Sequence, residues 1–282
     1  MLLFNGDLTT MENNKMKITT ILLVLLLASS SALADKKVSK KDPSIDGERG
    51  GQVLSDLWYT ITIKDKVHYG YYNDRAEMKQ GKVFFKNQLW KNEEGYINEE
   101  QVGVFSENNP ELSPLFFNFH STYRTTETTI DGTVQTGTGG SILTVKVKKG
   151  GQELPIIKKN LPSKIFFSSV FPLWLERRMS SLKPGQTQSF LTILEDSVDS
   201  GFETAFGRIL VEKPDAFATK SGTLKITVTN HDQHSIWYVD AKGNPLRIEM
   251  PEQHAIVDRV TEAVATKFLA ASASPKSASK EE

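Results

Sequence analysis

Between residues 57 and 250 apolar side chains return at every second position in run after run, and that period of two commits the chain to β-sheet. Leu57, Tyr59, Ile61 and Ile63 alternate with Trp58, Thr60 and Thr62. Lys64-Asp65-Lys66 then turns the chain into Val67, Tyr69 and Tyr71, which share the same spacing. Residues 82–90 and 96–105 continue the meander, with a turn at 92–95, and Leu115, Phe117 and Phe119 mark the next strand. Asp131-Gly132 has the composition of a tight hairpin. Leu143, Val145 and Val147 follow, and Lys149-Gly150-Gly151 turns into 154–157. Later strands are expected at 188–194, 205–211, 224–229, 236–240 and 245–250, the last two flanking Ala241-Lys242-Gly243-Asn244. No internal repeat and no linker interrupts 52–269, which reads as one domain.

One stretch breaks the period. From Ser163 to Gly185, Ile165, Phe166, Phe167, Val170, Phe171, Leu173, Trp174, Leu175, Met179 and Leu182 recur at spacings of one, three and four. That covers one broad side of a helix, which Pro172 should split into two short pieces. Glu176, Arg177, Arg178 and Ser180 give it a wet side, and Lys183-Pro184-Gly185 stops it. Burying its four aromatics is worth about 6–12 kcal/mol, comparable to a whole domain's net stability, so it must be covered. The expected fold is mainly β: a large curved antiparallel sheet, an open half-barrel, with a short helical plug and a C-terminal helix at 261–269.

Both ends read differently. Lys15 and Lys17 precede an apolar run from Ile21 to Ala28, and Ala32-Leu33-Ala34 offers a cleavage site. Residues 1–34 are therefore expected to be a secretory signal starting at Met16, too short in its apolar run to span a bilayer. Cleavage would place the protein in a periplasmic or extracellular compartment and leave no stable membrane span. A charged lead-in at 35–51 and an Ala/Ser/Lys-rich tail at 270–282 lack apolar periodicity. Lys plus Arg and Asp plus Glu number 34 each, so no net charge steers the chain to nucleic acid. It has no cysteine, which removes disulfides, thiol catalysis, zinc–thiolate sites and lipidation at a lipobox.

No constellation of residues points to catalysis. Gly137-Thr138-Gly139-Gly140-Ser141 is followed by a strand and not a helix, so it reads as a flexible turn and not a phosphate loop. His231, Asp232 and His234 could hold zinc, yet in a hairpin they read as a polar turn. There is no Gly-x-Ser-x-Gly elbow, and Glu93-Glu94 and Glu99-Glu100 read as turn charges. The expectation is a non-enzyme without cofactor or metal.

The aromatics carry more information. Tyr59, Tyr69, Tyr71, Phe85, Phe117, Phe119, Phe166, Phe167, Phe171 and Trp174 either line a cavity between sheet and plug or fill a solid core. In the first case the concave face takes an apolar small molecule, a lipid or the acyl group of a lipid-modified protein. In the second the chain is an envelope interaction scaffold acting through protein–protein contacts. The first is the expectation, under which Trp174→Ala should cost about 1–2 kcal/mol and markedly weaken apolar-ligand binding; a packed core residue would instead lose about 3–5.

Leu182-Lys183-Pro184-Gly185, the run Ile236-Trp237-Tyr238-Val239-Asp240-Ala241-Lys242-Gly243-Asn244-Pro245-Leu246-Arg247-Ile248-Glu249, and Arg259-Val260-Thr261-Glu262-Ala263 together resemble an uncharacterised family of exported bacterial proteins. The resemblance implies the LolA/LolB-like fold of lipoprotein carriers, an open β-barrel lidded by helices. Without a lipobox cysteine the chain is closer to the soluble LolA type. The resemblance brings no catalytic residues with it.

Overall fold

The computed structural model describes residues 51–63, 67–93, 96–230 and 233–272. The expectations for the signal, for the lead-in up to residue 50, for the Lys64-Asp65-Lys66 turn, for Glu94 and Gly95 of the 92–95 turn, for His231 and Asp232, and for the tail from 273 lie outside them. A first meander comprises β1 (Gln52–Ile63), β2 (Val67–Lys79), β3 (Lys82–Glu93), β4 (Tyr96–Glu107), β5 (Pro114–Tyr123), β6 (Thr126–Gly137), β7 (Gly140–Lys149), β8 (Gln152–Glu153) and β9 (Ile157–Leu161). The plug follows as β10 (Ile165–Phe167), a 3-10 turn (Ser168–Val170), α1 (Phe171–Glu176) and a second 3-10 turn (Met179–Ser181). A second meander runs through β11 (Thr187–Ile193), β12 (Thr204–Val211), α2 (Ala216–Ser221), β13 (Leu224–Asn230), β14 (Gln233–Val239), β15 (Pro245–Met250) and β16 (Ala255–Val260), and α3 (Glu262–Ser272) closes the described chain.

The strands form one curved, unclosed sheet in the order β10-β11-β12-β13-β14-β15-β16-β1-β2-β3-β4-β5-β6-β7-β8, with β9 also on β7. Among the described residues the last strand pairs antiparallel with the first, Tyr59 opposite Arg259 and Ile61 opposite Val257, so both lie mid-sheet. The unpaired edges instead fall at β9 and β10, which are neighbours in sequence. The sheet is antiparallel except at β10, which pairs parallel with β11. The mainly β half-barrel with a small plug and a C-terminal helix is thus the observed architecture.

Several local expectations change. Pro172 does not split a long helix; it sits in the first turn of α1, where its missing N–H is not needed. The residues before it, Ile165 to Phe167, are a strand. Asp131-Gly132 lies in the middle of β6, opposite Asn118 and Phe117. A Cβ on Gly132 would sit 1.9 Å from the Phe117 ring, so glycine is there to let that ring lie on the strand. The hairpin is at Thr138-Gly139, where Gly137 pairs with Gly140. α3 also runs past residue 269 to Ser272, three residues into the expected tail.

Candidate binding site

The plug lies in the concave face, and its rings form two groups. Phe166 and Phe167 are successive residues of β10 and therefore point opposite ways. Phe166 stacks on Trp174 at 5.3 Å, and Phe171 stacks on Trp174 at 5.8 Å. Phe190 of β11 closes on Phe166, Phe171 and Trp174 at 5.9, 5.0 and 5.4 Å, and Trp237 of β14 meets Phe171 edge-on at 5.1 Å. Phe167 turns to the other wall and meets Phe117 edge-on at 5.3 Å, with Phe202 at 6.1 Å from Phe117. Gly207 opposes Phe190 across the ladder, and a Cβ there would be 2.1 Å from that ring. A ring over a glycine on each wall lets the plug sit close to the sheet.

Of the ring residues nominated from sequence, Phe85, Phe117, Phe119, Phe166, Phe167, Phe171 and Trp174 belong to this core. Tyr59 is also inside, stacked on Tyr72 at 4.6 Å. Tyr71 is not: it faces the convex side between Trp58 and Trp90, at 6.2 and 4.8 Å. The cause is a bulge, since Ile61 pairs with Gly70 and Thr62 with His68, leaving Tyr69 unopposed. Tyr69 is thereby turned to the core, where its hydroxyl donates to Glu93. Period-two spacing puts Tyr69 and Tyr71 on one face; the bulge puts them on opposite faces. Phe190, Phe202, Trp237 and Tyr72 complete the interior, and the sequence marked them only as strand or loop residues.

Trp174 is 3% exposed and boxed by three rings, with the Arg178 guanidinium 4.0 Å over its face. It is a packed residue, and the small truncation cost expected of a cavity wall does not apply. Its outer edge, together with Phe190, nevertheless borders a pocket of about 330 Å³ that also involves Glu111, Lys164, Arg178 and Gln188. The pocket lies on the β11 side of the plug, beside the open seam of the sheet.

Polar ties hold the plug at both ends. Glu195, fully buried, accepts from Ser168 Oγ and Ser169 Oγ at 2.5 Å each and from Ser169 N at 3.1 Å. Burial pushes its carboxyl above the usual range, against the pull of those donors. At the other end Arg177 donates to Asn109 O and to Asn108 Oδ1, and Arg178 donates to Pro110 O and Glu111 Oε2 at 2.9 Å each. These two arginines pin the end of α1 to the β4–β5 loop. Deeper in the concave face Lys91 stands 2.7 Å from Glu100 and 3.5 Å from Glu93, a buried charge group supported by Asn98.

Ser168 and Ser169 bond a carboxylate and not an imidazole, and Ser168 is buried, so this arrangement binds the plug and presents no nucleophile. His234 is placed on β14, with Nδ1 3.1 Å from Thr229 Oγ1. Among the described residues no three His, Asp or Glu side chains converge as a metal would require. Among them, too, no helix is long and apolar enough to cross a membrane.

No family model matches the chain. No curated protein matches it either. Among solved structures it is similar to a beta-barrel-like protein of a domain of unknown function, DUF1849, from Brucella abortus, at 11% identity and a TM-score of 0.46, over 73% of this chain and 95% of that one.

Proposed function

We propose that the chain is an exported, non-enzymatic binding protein for an acyl chain or similar apolar ligand, in the manner of a LolA-type carrier, with the plug as its lid. The observation that carries this reading is the place where the plug's aromatic cluster reaches the surface. Trp174 and Phe190 border a pocket of about 330 Å³ beside Lys164 and Arg178. Apolar ring edges next to two cations suit a fatty acid, whose tail is drawn to the rings and whose carboxylate is drawn to the ammonium. Arg178 is already engaged by Glu111 and by the Trp174 face, which leaves Lys164 as the head-group contact.

A fluorescent fatty acid titrated into the mature protein tests it. Binding should quench tryptophan emission, and Lys164→Glu should weaken it by roughly fivefold or more, the scale of one charge-assisted contact. No binding by the unmutated protein would sink the carrier reading. A second reading, an interaction scaffold, is favoured by the filled concave face and by Phe206, 59% exposed on β12. Native mass spectrometry separates the two, since only a carrier purifies with added lipid mass.

A further inference from the structure

On the wall opposite the seam the interior is polar where a core should not be. Tyr59 of β1 and Tyr72 of β2 are 0% and 1% exposed, and neither hydroxyl has a hydrogen-bond partner. Both feel the charge of Asp74, which follows Tyr72 on the inner face of β2 and pairs across the ladder with Leu57 and Asn87. A buried phenol without a partner costs about 1–3 kcal/mol, and two sit side by side here.

Asp74 is the odd member among the buried acids described above. Glu93 and Glu100 have Lys91, and Glu195 has three donors from two serines. Asp74 receives one neutral bond, from Asn87 Nδ2 at 2.6 Å. A cleft of about 580 Å³ lies at the neighbouring ladder positions, bordered by Asp56, Leu57, Trp58, Arg259, Val260 and Glu262 where β1 parts from β16 and the chain enters α3. Ladder pairing between β1 and β16 stops at Trp58 and Val260, and beyond that point α3 packs against β1 and β2. Leu57 and Arg259, which border this cleft, are the cross-strand partners of Asp74 and Tyr59.

We propose that Asp74, Tyr59 and Tyr72 form a second ligand site, which takes the primary ammonium of an amphiphilic amine whose apolar body lies along the Leu57–Val260 cleft. The donor count fits, because an ammonium offers three N–H groups and the niche offers a carboxylate and two phenol oxygens. The charge fits too, since a buried carboxylate without a cation gains most from a partner that brings one. Arg259 and Asp240 face the niche from β16 and from the β14–β15 turn, and they neutralise each other. Burial lifts the Asp74 carboxyl to about 7, with Asn87 opposing, so binding should weaken as pH falls through that range and the acid takes up a proton. The site is on another wall from the Trp174 pocket and stands whether or not a fatty acid binds there.

Calorimetric titration of the mature protein at pH 8 with n-octylamine, with n-octanol as the uncharged control of the same length, tests the assignment. Octylamine should bind and octanol should bind far more weakly. Asp74→Asn should reduce octylamine affinity on the order of a hundredfold, as loss of one side of a buried charge pair does. Tyr72→Phe should reduce it about fivefold, the worth of one hydrogen bond. Should Asp74→Asn fail to fold, the Tyr72→Phe titration and the pH profile of the unmutated protein decide. Absence of octylamine binding, equal affinity for octanol, unchanged affinity in either variant, or a flat profile between pH 6 and 8 would overturn the proposal.

Discussion

Asp74 illustrates how one side chain ties stability to pH in this fold. Its carboxyl is raised from an ordinary 3.8 to about 7, burial being the main cause. The folded state therefore holds a proton that the unfolded state has already released between those values. Stability from this group is fully present below about 4, falls as pH rises toward 7, and is then lost. The total is on the order of 4 kcal/mol, three pH units at about 1.4 kcal/mol each. Asp74→Asn, which cannot ionise, should unfold at a higher denaturant concentration than the unmutated protein at pH 8 and should lose that advantage near pH 4. Equal midpoints at pH 8 would mean that the acid is solvated. Trp174 makes the opposite case, since its three ring neighbours and the arginine over its face leave little room to relax. Trp174→Ala should cost about 3–5 kcal/mol in urea unfolding, the range for large aromatic truncations in cores.

At the scale of elements, the plug depends on its ties as much as on its rings. Glu195→Ala strands three donors in a buried place and should cost about 2–4 kcal/mol, while Glu195→Gln, which keeps one acceptor oxygen, should cost less. Denaturation of the two variants side by side checks this, and equal losses would show that burial of the side chain matters and its oxygens do not. Much of this layer was legible in the sequence, because strands with one wet and one dry face have a period that side chains must obey. The Leu224–Thr229 and Leu143–Val147 alternations lie inside β13 and β7. What could not be read is informative in the same terms. An extra residue in a ladder leaves the composition unchanged, so the bulge that parts Tyr69 from Tyr71 has no signature. A glycine under a ring and a glycine in a hairpin look alike in one dimension, which is why Gly132 suggested a turn. α2 is six residues long, too short for an apolar period, although Asp215 accepting from Ala218 N and Gly222 at φ 67° are ordinary cap signals. Asp74 lies in the polar run Asn73-Asp74-Arg75, and only its register against Leu57 and Asn87 places it inside.

For the whole molecule the decisive fact is where the sheet fails to close. In a closed barrel every strand has two neighbours, and any opening breaks a ladder of backbone hydrogen bonds. Here the strand path ends at β10 and β8, with the β9 edge unpaired beside β10, while the chain's first and last strands are sealed together in the middle. Lifting the plug out of the concave face therefore breaks side-chain packing, the Glu195 latch and the two arginine clamps, but no ladder except the short pairing of β10 with β11. Opening at the seam should be a local event, with lower free energy than global unfolding. Hydrogen exchange under native conditions tests this. Amides of residues 168–182 should exchange through a partial opening, while those of β1, β2 and β16 should exchange only with the whole fold. Replacing both Arg177 and Arg178 with Ala removes the four bonds to residues 108–111. At about 0.5–1.5 kcal/mol net for each arginine, the exchange of 168–182 should rise roughly 5- to 150-fold, with the mid-sheet amides rising less. A uniform rise across plug and mid-sheet would show that the plug cannot open on its own, and the lid role proposed for it would fall with that result.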